Sequence, residues 1–403
     1  MLNLIPTYIL QRLRMNYLFI FLGNKLISCD TILPFVIDLK KQNPNLKVTF
    51  YTYDLNTLNI IRKNINLLNL INSCGRILLF GFLEKRYFKL IRVFSKVLNI
   101  FIIIFLSLIY KVSNIHFRSL DTFPFNLIYF FNRKHTYIFE SNCWGYSELV
   151  YKADLLFYKN RVGSEQEKFI AYKNLVYFSE EWPQYKYALE GKKNIFHINP
   201  TRSNKSWLEE CSKQARLLEN EENTWYSHLK GSNSKAIVYV LGYMGKIPTL
   251  HKDTNGEDLF KETIKFLIEE TDLIIFLKPH AITDLKIIKH IITSYDPDRV
   301  FIVYNHIAVI SHFCDYAVSN YFSYGLADAW SNGCKVIEYS YYDPEVLKMT
   351  KNLSIVSKYV DVFINKDLML FNDTLNIEFN KKNREFDKLI IDDNKALMNR
   401  IID

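Results

Sequence analysis

Reactive side chains follow a short apolar run in the second half of the chain. Residues 274–277 (Ile-Ile-Phe-Leu) are typical of a buried strand, and Lys278, Pro279 and His280 come directly after them. Because Pro279 blocks a smooth continuation as a helix, Lys278 and His280 should lie at the carboxyl end of that strand. Open α/β sheets bind ligands at this edge. An ammonium and an imidazole there could bind a phosphate group, although His280 could also simply cap a loop.

A second segment repeats this pattern further along the chain. Residues 314–318 predict a strand, a loop with Ser319, Tyr321 and Ser323 follows, and a helix is expected from about Leu326. Hydroxyls and backbone N–H groups at a helix start can bind phosphate, while helix capping alone is the simpler alternative. The two segments together predict a pocket for a phosphate ester, the group that a nucleotide-activated donor presents to a transferase.

The first half of the chain opens with a strand, a turn, a helix and another strand. An apolar run ends in Gly23, Asn24 and Lys25, and an amphipathic helix (30–39) and a second strand (48–53) follow. One βαβ unit of this kind predicts a Rossmann-like domain. The turn lacks the G-x-G-x-x-G spacing of a dinucleotide fingerprint. We interpret it either as an acceptor-side loop or as a plain turn with an exposed lysine.

Strand and helix alternation restarts after a polar Gly/Ser/Asn stretch near Lys230. Residues 236–241 predict a new strand, with Gly242 in the turn that follows. We therefore predict an N-terminal domain over residues 1–230, a C-terminal α/β domain over 236–375, and a helical tail over 376–403 that packs back on either domain.

One segment of the first domain, residues 85–112, is unusually basic and then unusually apolar. Residues 97–110 are almost wholly apolar but shorter than the roughly twenty residues that cross a bilayer. A basic amphipathic helix that leads into an apolar one predicts attachment to one leaflet of a membrane. An internal helix that covers the sheet is the alternative. The basic residues are Lys85, Arg86, Lys89, Arg92 and Lys96.

Bulk properties narrow the class of protein. The chain has 403 residues and a formal charge of +9, but its lysines and arginines are scattered, so a nucleic-acid partner is not expected. A phosphate-bearing substrate or an anionic membrane surface accounts for the charge equally well. The six cysteines form no Cys-x-x-Cys pair, and no secretory signal is evident at the amino terminus. We therefore expect a cytoplasmic protein, with peripheral contact at the inner membrane face as one option.

The two segments also carry a resemblance to a known family. Lys278-Pro279-His280 resembles the Lys/Arg-Pro-His motif of GT-B glycosyltransferases that build bacterial capsules and other surface polysaccharides such as lipopolysaccharide. The loop from Ser319 to Ser323, with the run Gly333-Cys-Lys-Val-Ile337, is similar to their Ser-containing loop and the strand after it. Kdo and sialic acid transferases and polyglycerol-phosphate transferases carry similar pairs. The chain departs from the pattern at Ala281 and Lys335, where the family commonly has proline.

The resemblance implies a fold, a reaction and a set of site residues. It implies an α/β protein with two Rossmann-like domains facing a cleft, the GT-B arrangement. It also implies metal-independent transfer of a sugar from a nucleotide donor, with CMP-sugars favoured, to a surface glycan or lipid-linked acceptor. No cofactor is expected. His280 would stabilise charge on the leaving nucleotide, and the donor would be bound by Lys278, Ser319, Tyr321, Ser323, Gly242 and Glu338. Glu338 is expected at the end of the last strand, where it could bind ribose hydroxyls.

A catalytic carboxylate is expected in the first domain, on the acceptor side. Glu140 ends a predicted strand just before Trp144, whose ring could stack on a sugar. Such a carboxylate can act as a general base or, in a retaining double displacement, as a nucleophile. Asp30 and Asp54 are alternatives, but they are also expected as a helix cap and a turn residue.

Other functions remain open at the level of sequence. A glycerol- or ribitol-phosphate transferase would share the architecture and differ in the transferred group and the acceptor. A catalytically silent scaffold that binds a partner enzyme or a lipid is a second alternative. A sugar-nucleotide epimerase with the same two-domain layout is a third, disfavoured because the chain lacks clustered carboxylates.

Overall fold

The computed structural model describes residues 16–22, 26–52, 55–79, 89–117, 126–139, 173–178, 194–219, 224–231, 234–245, 254–280, 283–295, 297–382, 384–385 and 392–402. They form two α/β units. The described residues up to Trp207 and those from 392 onward belong to the first unit, and residues 208–385 belong to the second. The chain therefore divides after Trp207 rather than near Lys230. This division falls inside a helix, where no change of composition marks it.

The first unit is built on a seven-stranded, all-parallel sheet. The strands in chain order are β1 (Asn16–Leu22), β2 (Lys47–Thr52), β3 (Arg76–Leu79), β4 (Lys111–Phe117), β5 (Thr136–Phe139), β6 (Asn174–Tyr177) and β7 (Asn194–His197). They lie in the order β3-β2-β1-β4-β5-β6-β7. Central parallel strands are covered on both faces, which explains why β1 is a continuous apolar run that is buried from Leu18 to Leu22.

Five helices follow the early strands of this unit. They are α1 (Leu26–Gln42), α2 (Leu55–Lys63), α3 (Ile65–Cys74), α4 (Lys89–Ile109) and α5 (Asn126–Phe131). Helix α1 begins earlier than the sequence predicts, and Ser28 and Cys29, which precede Asp30, are buried. Asp30 therefore lies within the helix and not at its N-cap, and its carboxylate is 3.7 Å from the guanidinium of Arg202.

The second unit contains a six-stranded parallel sheet. Its strands are β8 (Ala236–Val240), β9 (Ile274–Lys278), β10 (Val300–Ile302), β11 (Tyr316–Ser319), β12 (Lys335–Ser340) and β13 (Val362–Asn365), in the order β10-β9-β8-β11-β12-β13. Each unit thus repeats the strand order 3-2-1-4-5-6 of doubly wound folds. The predicted fold class, α/β with two Rossmann-like domains, is confirmed. Strand β13 was missed in the sequence, and β12 is not the last strand.

Helices cover both faces of the second sheet. They are α6 (Lys205–Glu219), α7 (Thr224–Gly231), α8 (Gly256–Glu270), α9 (Leu285–Ile292), α10 (Ile307–Ile310), α11 (Gly325–Ser331), α12 (Pro344–Thr350) and α13 (Leu368–Asn376). Helix α8 starts with a side-chain cap, because Asn255 Oδ1 accepts from the backbone N–H of Asp258 at 2.9 Å. Its apolar face packs on β8 and β9 through Leu259 and Phe260.

The C-terminal tail is shared between the two units. Lys381 stays with the second unit, where its Nζ donates to the carbonyl of Cys314 at 2.7 Å. The last helix, α14 (Asn394–Ile402), belongs to the first unit. There the hydroxyl of Tyr137 donates to the carbonyl of Arg400 at 3.2 Å. The described parts of the tail thus contact both units, with one segment on each.

The basic and apolar segment 85–112 contributes a single long helix, α4, followed by the start of β4. One side of α4 is core, since Ile100 and Ile103 are buried among the side chains of the first sheet. Its other side carries large exposed side chains such as Phe101 and Phe105. The helix is therefore internal on one side only, and its other side is exposed. Among the described helices, none has the length and apolar character needed to cross a membrane.

Candidate functional site

The strand order reverses at one point in each sheet, and such points are where open α/β folds bind ligands. In the second unit this point lies between β8 and β11, at their carboxyl ends. Strand register aligns Lys278, Val240, Ser319 and Glu338 in one row across four neighbouring strands. Since strands lie about 4.8 Å apart, Lys278 and Glu338 at the two ends of the row are separated by roughly 14 Å.

Ser319 links the ends of the two central strands, β11 and β8, through a hydrogen bond. Its side chain is fully buried, and its hydroxyl donates to the carbonyl of Val240 at 3.0 Å. It is the last residue of β11 and not a loop residue, which corrects its predicted position. A phosphate contact from Ser319 would require this bond to break, so the geometry gives Ser319 a positioning role.

Asn320, the next residue, anchors the turn after β11. Its Nδ2 donates to Thr263 Oγ1 at 2.9 Å and to the carbonyl of Tyr339 at 2.9 Å. Its Oδ1 accepts a short hydrogen bond from the hydroxyl of Tyr239. Asn320 thereby joins α8, β8 and β12 to the start of the loop. Asn320 was not among the residues predicted from the sequence, although an asparagine directly after an apolar strand was a usable signal.

Gly242 and Tyr321 are packed directly against each other. A Cβ built on Gly242 would overlap the Tyr321 ring, well inside the 3.0 Å limit that real Cβ contacts respect. Glycine is therefore required by a close approach of the ring to the backbone. Burial raises the pKa of Tyr321 to about 12, and a hydrogen bond with Ser323 partly opposes the increase.

Substituting Gly242 with alanine should displace the Tyr321 ring and lower nucleotide affinity about tenfold, since the added methyl group occupies the position of the ring. Binding is measured by calorimetry on the folded variant. Gly325→Ala is the matched control, because a Cβ there has its nearest neighbour at 3.5 Å and meets only ordinary contacts. Equal affinity for the Gly242→Ala variant and the wild type would show that this packing does not shape the site.

Thr283 connects the Lys278–His280 segment to the same centre. Its hydroxyl donates to the carbonyl of Gly242 at 2.9 Å and accepts from the backbone N–H of His280 at 2.9 Å. The His280 side chain is exposed and Lys278 is half-buried, with its Nζ 3.4 Å from the carbonyl of Tyr304. Lys278 therefore ends β9, and His280 lies in the loop after it, which Thr283 joins to the turn after β8.

Ser323 lies just before helix α11 and remains partly exposed. Its Oγ accepts from the backbone N–H of Gly325, the first residue of the helix, at 3.2 Å, while the N-cap position itself is Tyr324. The hydroxyl proton is not used in this bond. Ser323 is also hydrogen-bonded to Tyr321, so it joins the start of α11 to the ring that packs on Gly242.

The pocket between these strand ends is small. It is bounded by the backbone from Val240 to Met244 and by Gly256, Phe260, Asn320 and Tyr321, and it has room for about one water molecule (10 Å³). A nucleotide cannot enter it. A ligand of that size would have to lie over the mouth, against the more exposed groups of Tyr321, Ser323 and His280.

Glu338 occupies a different place from the one predicted. It lies in the middle of β12, two residues before the strand ends, and its side chain is fully buried. Its two oxygens accept from the hydroxyls of Tyr342 and Ser354. Burial raises the pKa of Glu338 to about 7, while these hydrogen bonds oppose the increase. Glu338 is thus part of a buried polar network, and ribose binding by this side chain would require the network to open.

Metal binding has no support in the described part of the chain, where no cluster of three or more histidine, cysteine, aspartate or glutamate side chains could hold an ion. The predicted donor contacts in this unit involve cations and hydroxyls. Metal-independent chemistry stays a prediction.

The acceptor-side candidates fall mostly outside the described residues. Glu140, Trp144, Asp54 and the turn Gly23, Asn24, Lys25 all lie there, so their roles stay predictions. In the described part of the first unit, the strand order reverses between β1 and β4. The carboxyl end of β4 is therefore the place in this unit where a ligand is expected.

His116 lies at this end of β4 and was not singled out in the sequence. It is 1% exposed, and its ring stacks on Phe21 with centroids 4.2 Å apart. Neither imidazole nitrogen has a hydrogen-bond partner among the described residues, and burial lowers its pKa well below the usual value. The side chain of Asn114, two residues earlier, is also buried, and neither its oxygen nor its nitrogen has a hydrogen-bond partner among the described residues. Buried polar atoms without partners are uncommon in proteins, and here they lie next to the edge where a ligand is expected.

Comparisons with known proteins give only distant similarities. No family model matches the sequence, and no curated protein matches it. Among solved structures, a UDP-N-acetylglucosamine 2-epimerase from Listeria monocytogenes aligns with a TM-score of 0.49 and 12% identity, over 80% of this chain and 79% of that one.

Two further solved structures are similar to the same degree. MnaA of S. aureus with UDP has a TM-score of 0.48 and 14% identity, over 93% of this chain and 100% of that one. A Medicago truncatula protein complexed with UDP-glucose has a TM-score of 0.46 and 12% identity, over 96% and 93%. Similarities this weak carry no information about what this chain binds.

Proposed function

We propose that this protein is a glycosyltransferase whose second unit binds a nucleotide-activated sugar at the carboxyl ends of β8, β9 and β11. The observation that carries the proposal is the hydrogen-bonded rim at the strand reversal. There Thr283 links the His280 backbone to Gly242, and Tyr321 packs on the same glycine. The rim consists of Lys278, His280 and Ser323 around the backbone turn at Gly242. It thus presents a cation, an imidazole and a partly exposed serine hydroxyl.

The proposed chemistry follows from these groups. The acceptor oxygen forms a bond to the anomeric carbon of the sugar while the bond from that carbon to the donor phosphate breaks. The nucleotide leaves with the bonding electrons, and Lys278 and His280 stabilise the charge that builds on its phosphate. Glu140 is proposed to take the acceptor proton or, in a double displacement, to act as nucleophile. The family resemblance further supports a cytidine nucleotide and a surface-glycan or lipid-linked acceptor.

The rim also fits transfer of glycerol phosphate or ribitol phosphate, because the nucleotide would contact the same groups. The two reactions differ in the product. Incubation with CMP-sugars and with CDP-glycerol or CDP-ribitol, followed by detection of released CMP and of the acceptor product, separates them. A folded protein that binds no nucleotide would instead favour the silent scaffold.

Nucleotide binding provides the direct test. A thermal-shift panel of CMP, CDP, UDP, GDP and ADP should identify the base, since a bound ligand stabilises the folded state by mass action. We expect Lys278→Ala and His280→Ala each to weaken binding of that nucleotide about tenfold, the usual cost of losing a charge-assisted hydrogen bond.

The chain supplies a matched control for these variants. Lys289 and His290 repeat the same pair of residue types in exposed positions of the last turn of α9. Because α9 starts near the carboxyl edge and runs back toward the amino edge, this turn is remote from the rim. Lys289→Ala/His290→Ala should leave affinity unchanged. If both pairs of variants bind as the wild type does, the rim is not the nucleotide site.

A further inference from the structure

Helix α4 exposes an apolar face that the core does not use. Phe94, Leu98, Phe101, Ile102 and Phe105 are 68%, 47%, 59%, 46% and 61% exposed. Their spacing of four, three, one and three residues places them along one side of a helix. We call these five residues the outer face of α4. Soluble proteins rarely leave so many large side chains exposed together unless the surface binds something.

Helix α5 extends this surface. Phe130 and Phe131 are 76% and 58% exposed, and their rings meet edge to face at 5.2 Å. Ile128 of α5 and Ile103 of α4 belong to the same buried cluster on the first sheet, so the two helices lie on the same side of that sheet. The exposed side chains of both helices therefore point away from that sheet on one side of the unit.

The sequence that contains these two helices is strongly basic. Residues 85–139 contain nine lysines and arginines and only one acidic residue, Asp121. Arg133 and Lys134 follow Phe131 after a single residue and are exposed. An apolar face bordered by cations complements a surface that combines hydrocarbon with negative charge. Anionic phospholipid bilayers have both properties, whereas an ordinary protein partner would have no need for this uniform sign.

We propose that the outer face of α4, together with Phe130 and Phe131, docks on an anionic lipid bilayer. The aromatic and aliphatic side chains enter the interface between headgroups and acyl chains, and the basic residues contact lipid phosphates. The helix lies along the membrane and does not span it, since its inner face is part of the protein core. This goes beyond the proposed function, because such a face would hold the protein at a membrane whatever reaction it catalyses.

Flotation of the full-length protein tests the docking face. The protein is mixed with vesicles of phosphatidylcholine alone or of phosphatidylcholine and phosphatidylglycerol in equal parts. We expect flotation with the anionic vesicles at low salt and a marked loss at high salt, because exposed charges are screened. Phe101→Ser/Phe105→Ser should weaken vesicle binding at least about tenfold, and Arg133→Gln/Lys134→Gln should weaken it by about fivefold for each cation removed.

A control variant tests whether vesicle binding belongs to this surface and not to apolar side chains in general. Met369→Ser/Ile377→Ser removes two exposed apolar residues, 80% and 59% exposed, from the second unit and should not change flotation. The Phe101→Ser/Phe105→Ser variant should still bind nucleotide, so failure of docking and failure of the proposed function are separable. Wild-type protein that stays unbound at low salt would overturn the proposal. So would a dimer, detected by sedimentation, that the phenylalanine substitutions abolish, because the face would then belong to a second copy of the chain.

Discussion

Replacing Asn320 with alanine should lower the free energy of unfolding by about 3 kcal/mol, because three hydrogen bonds to buried partners disappear at once. Asn320 is 7% exposed, and the groups it bonds come from α8, β8 and β12. The hydroxyl of Tyr239 would lose its short hydrogen bond to Asn320 Oδ1 inside the core. Urea denaturation of the full chain, followed by circular dichroism, measures the change.

The coupling between Asn320 and Tyr239 can be isolated. A cycle of Asn320→Ala, Tyr239→Phe and the double variant should be non-additive, because Tyr239→Phe removes the hydroxyl that the alanine variant leaves unsatisfied. Asn376→Ala is the matched control, since Asn376 is exposed at the end of α13. Two single changes that sum to the double variant would show that the short bond between Tyr239 and Asn320 contributes nothing.

Glu338 should make the second unit less stable as the pH rises from about 5 to 8. Burial raises its folded-state pKa to about 7, whereas an unfolded glutamate titrates near 4.5. Below pH 4.5 both states are protonated and the contribution is fully present. As the pH rises toward 7 the unfolded state releases its proton first, so unfolding becomes more favourable. The total loss is on the order of 3 kcal/mol, as expected for a shift of about two to three pKa units.

Glu338→Gln isolates this dependence from that of every other titrating group. Glutamine keeps the size of the side chain and cannot ionise, so the variant should gain stability relative to the wild type between about pH 5 and pH 8. Urea midpoints at several pH values within this range give the difference. Parallel curves for the two proteins would mean that Glu338 does not change its proton on unfolding.

Several features of the second unit could be predicted from the sequence because their causes are local. The run at 274–277 is apolar throughout since a central parallel strand is covered on both faces, and Pro279 ends it wherever the chain is placed. Helix α8, Gly256–Glu270, has its cap at Asn255 and its apolar period within the segment itself, so its causes are local too. Alternation of such strands and helices, twice, was sufficient to predict two Rossmann-like domains.

Other features depend on residues that are distant in the sequence. Ser319 and Ser323 look alike in the chain, yet one hydroxyl is tied to Val240 on a neighbouring strand and the other remains accessible. Glu338 resembles a strand-end carboxylate until Tyr342 and Ser354 enclose it. The burial of a polar side chain is determined by the groups that fold over it. The sequence pattern around that side chain does not indicate which groups these are.

The remaining differences have the same physical origin. The second half of α4 is almost wholly apolar, so the sequence could not distinguish a core helix from a membrane-binding one. Only packing against the sheet decided which side of the helix is core. The division after Trp207 and the return of α14 to the first unit are also properties of long-range packing. The sequence by itself determined the types of element and the two strand ends with reactive groups. The tertiary structure decided which of those groups face solvent, because exposure depends on contacts between segments far apart in the chain.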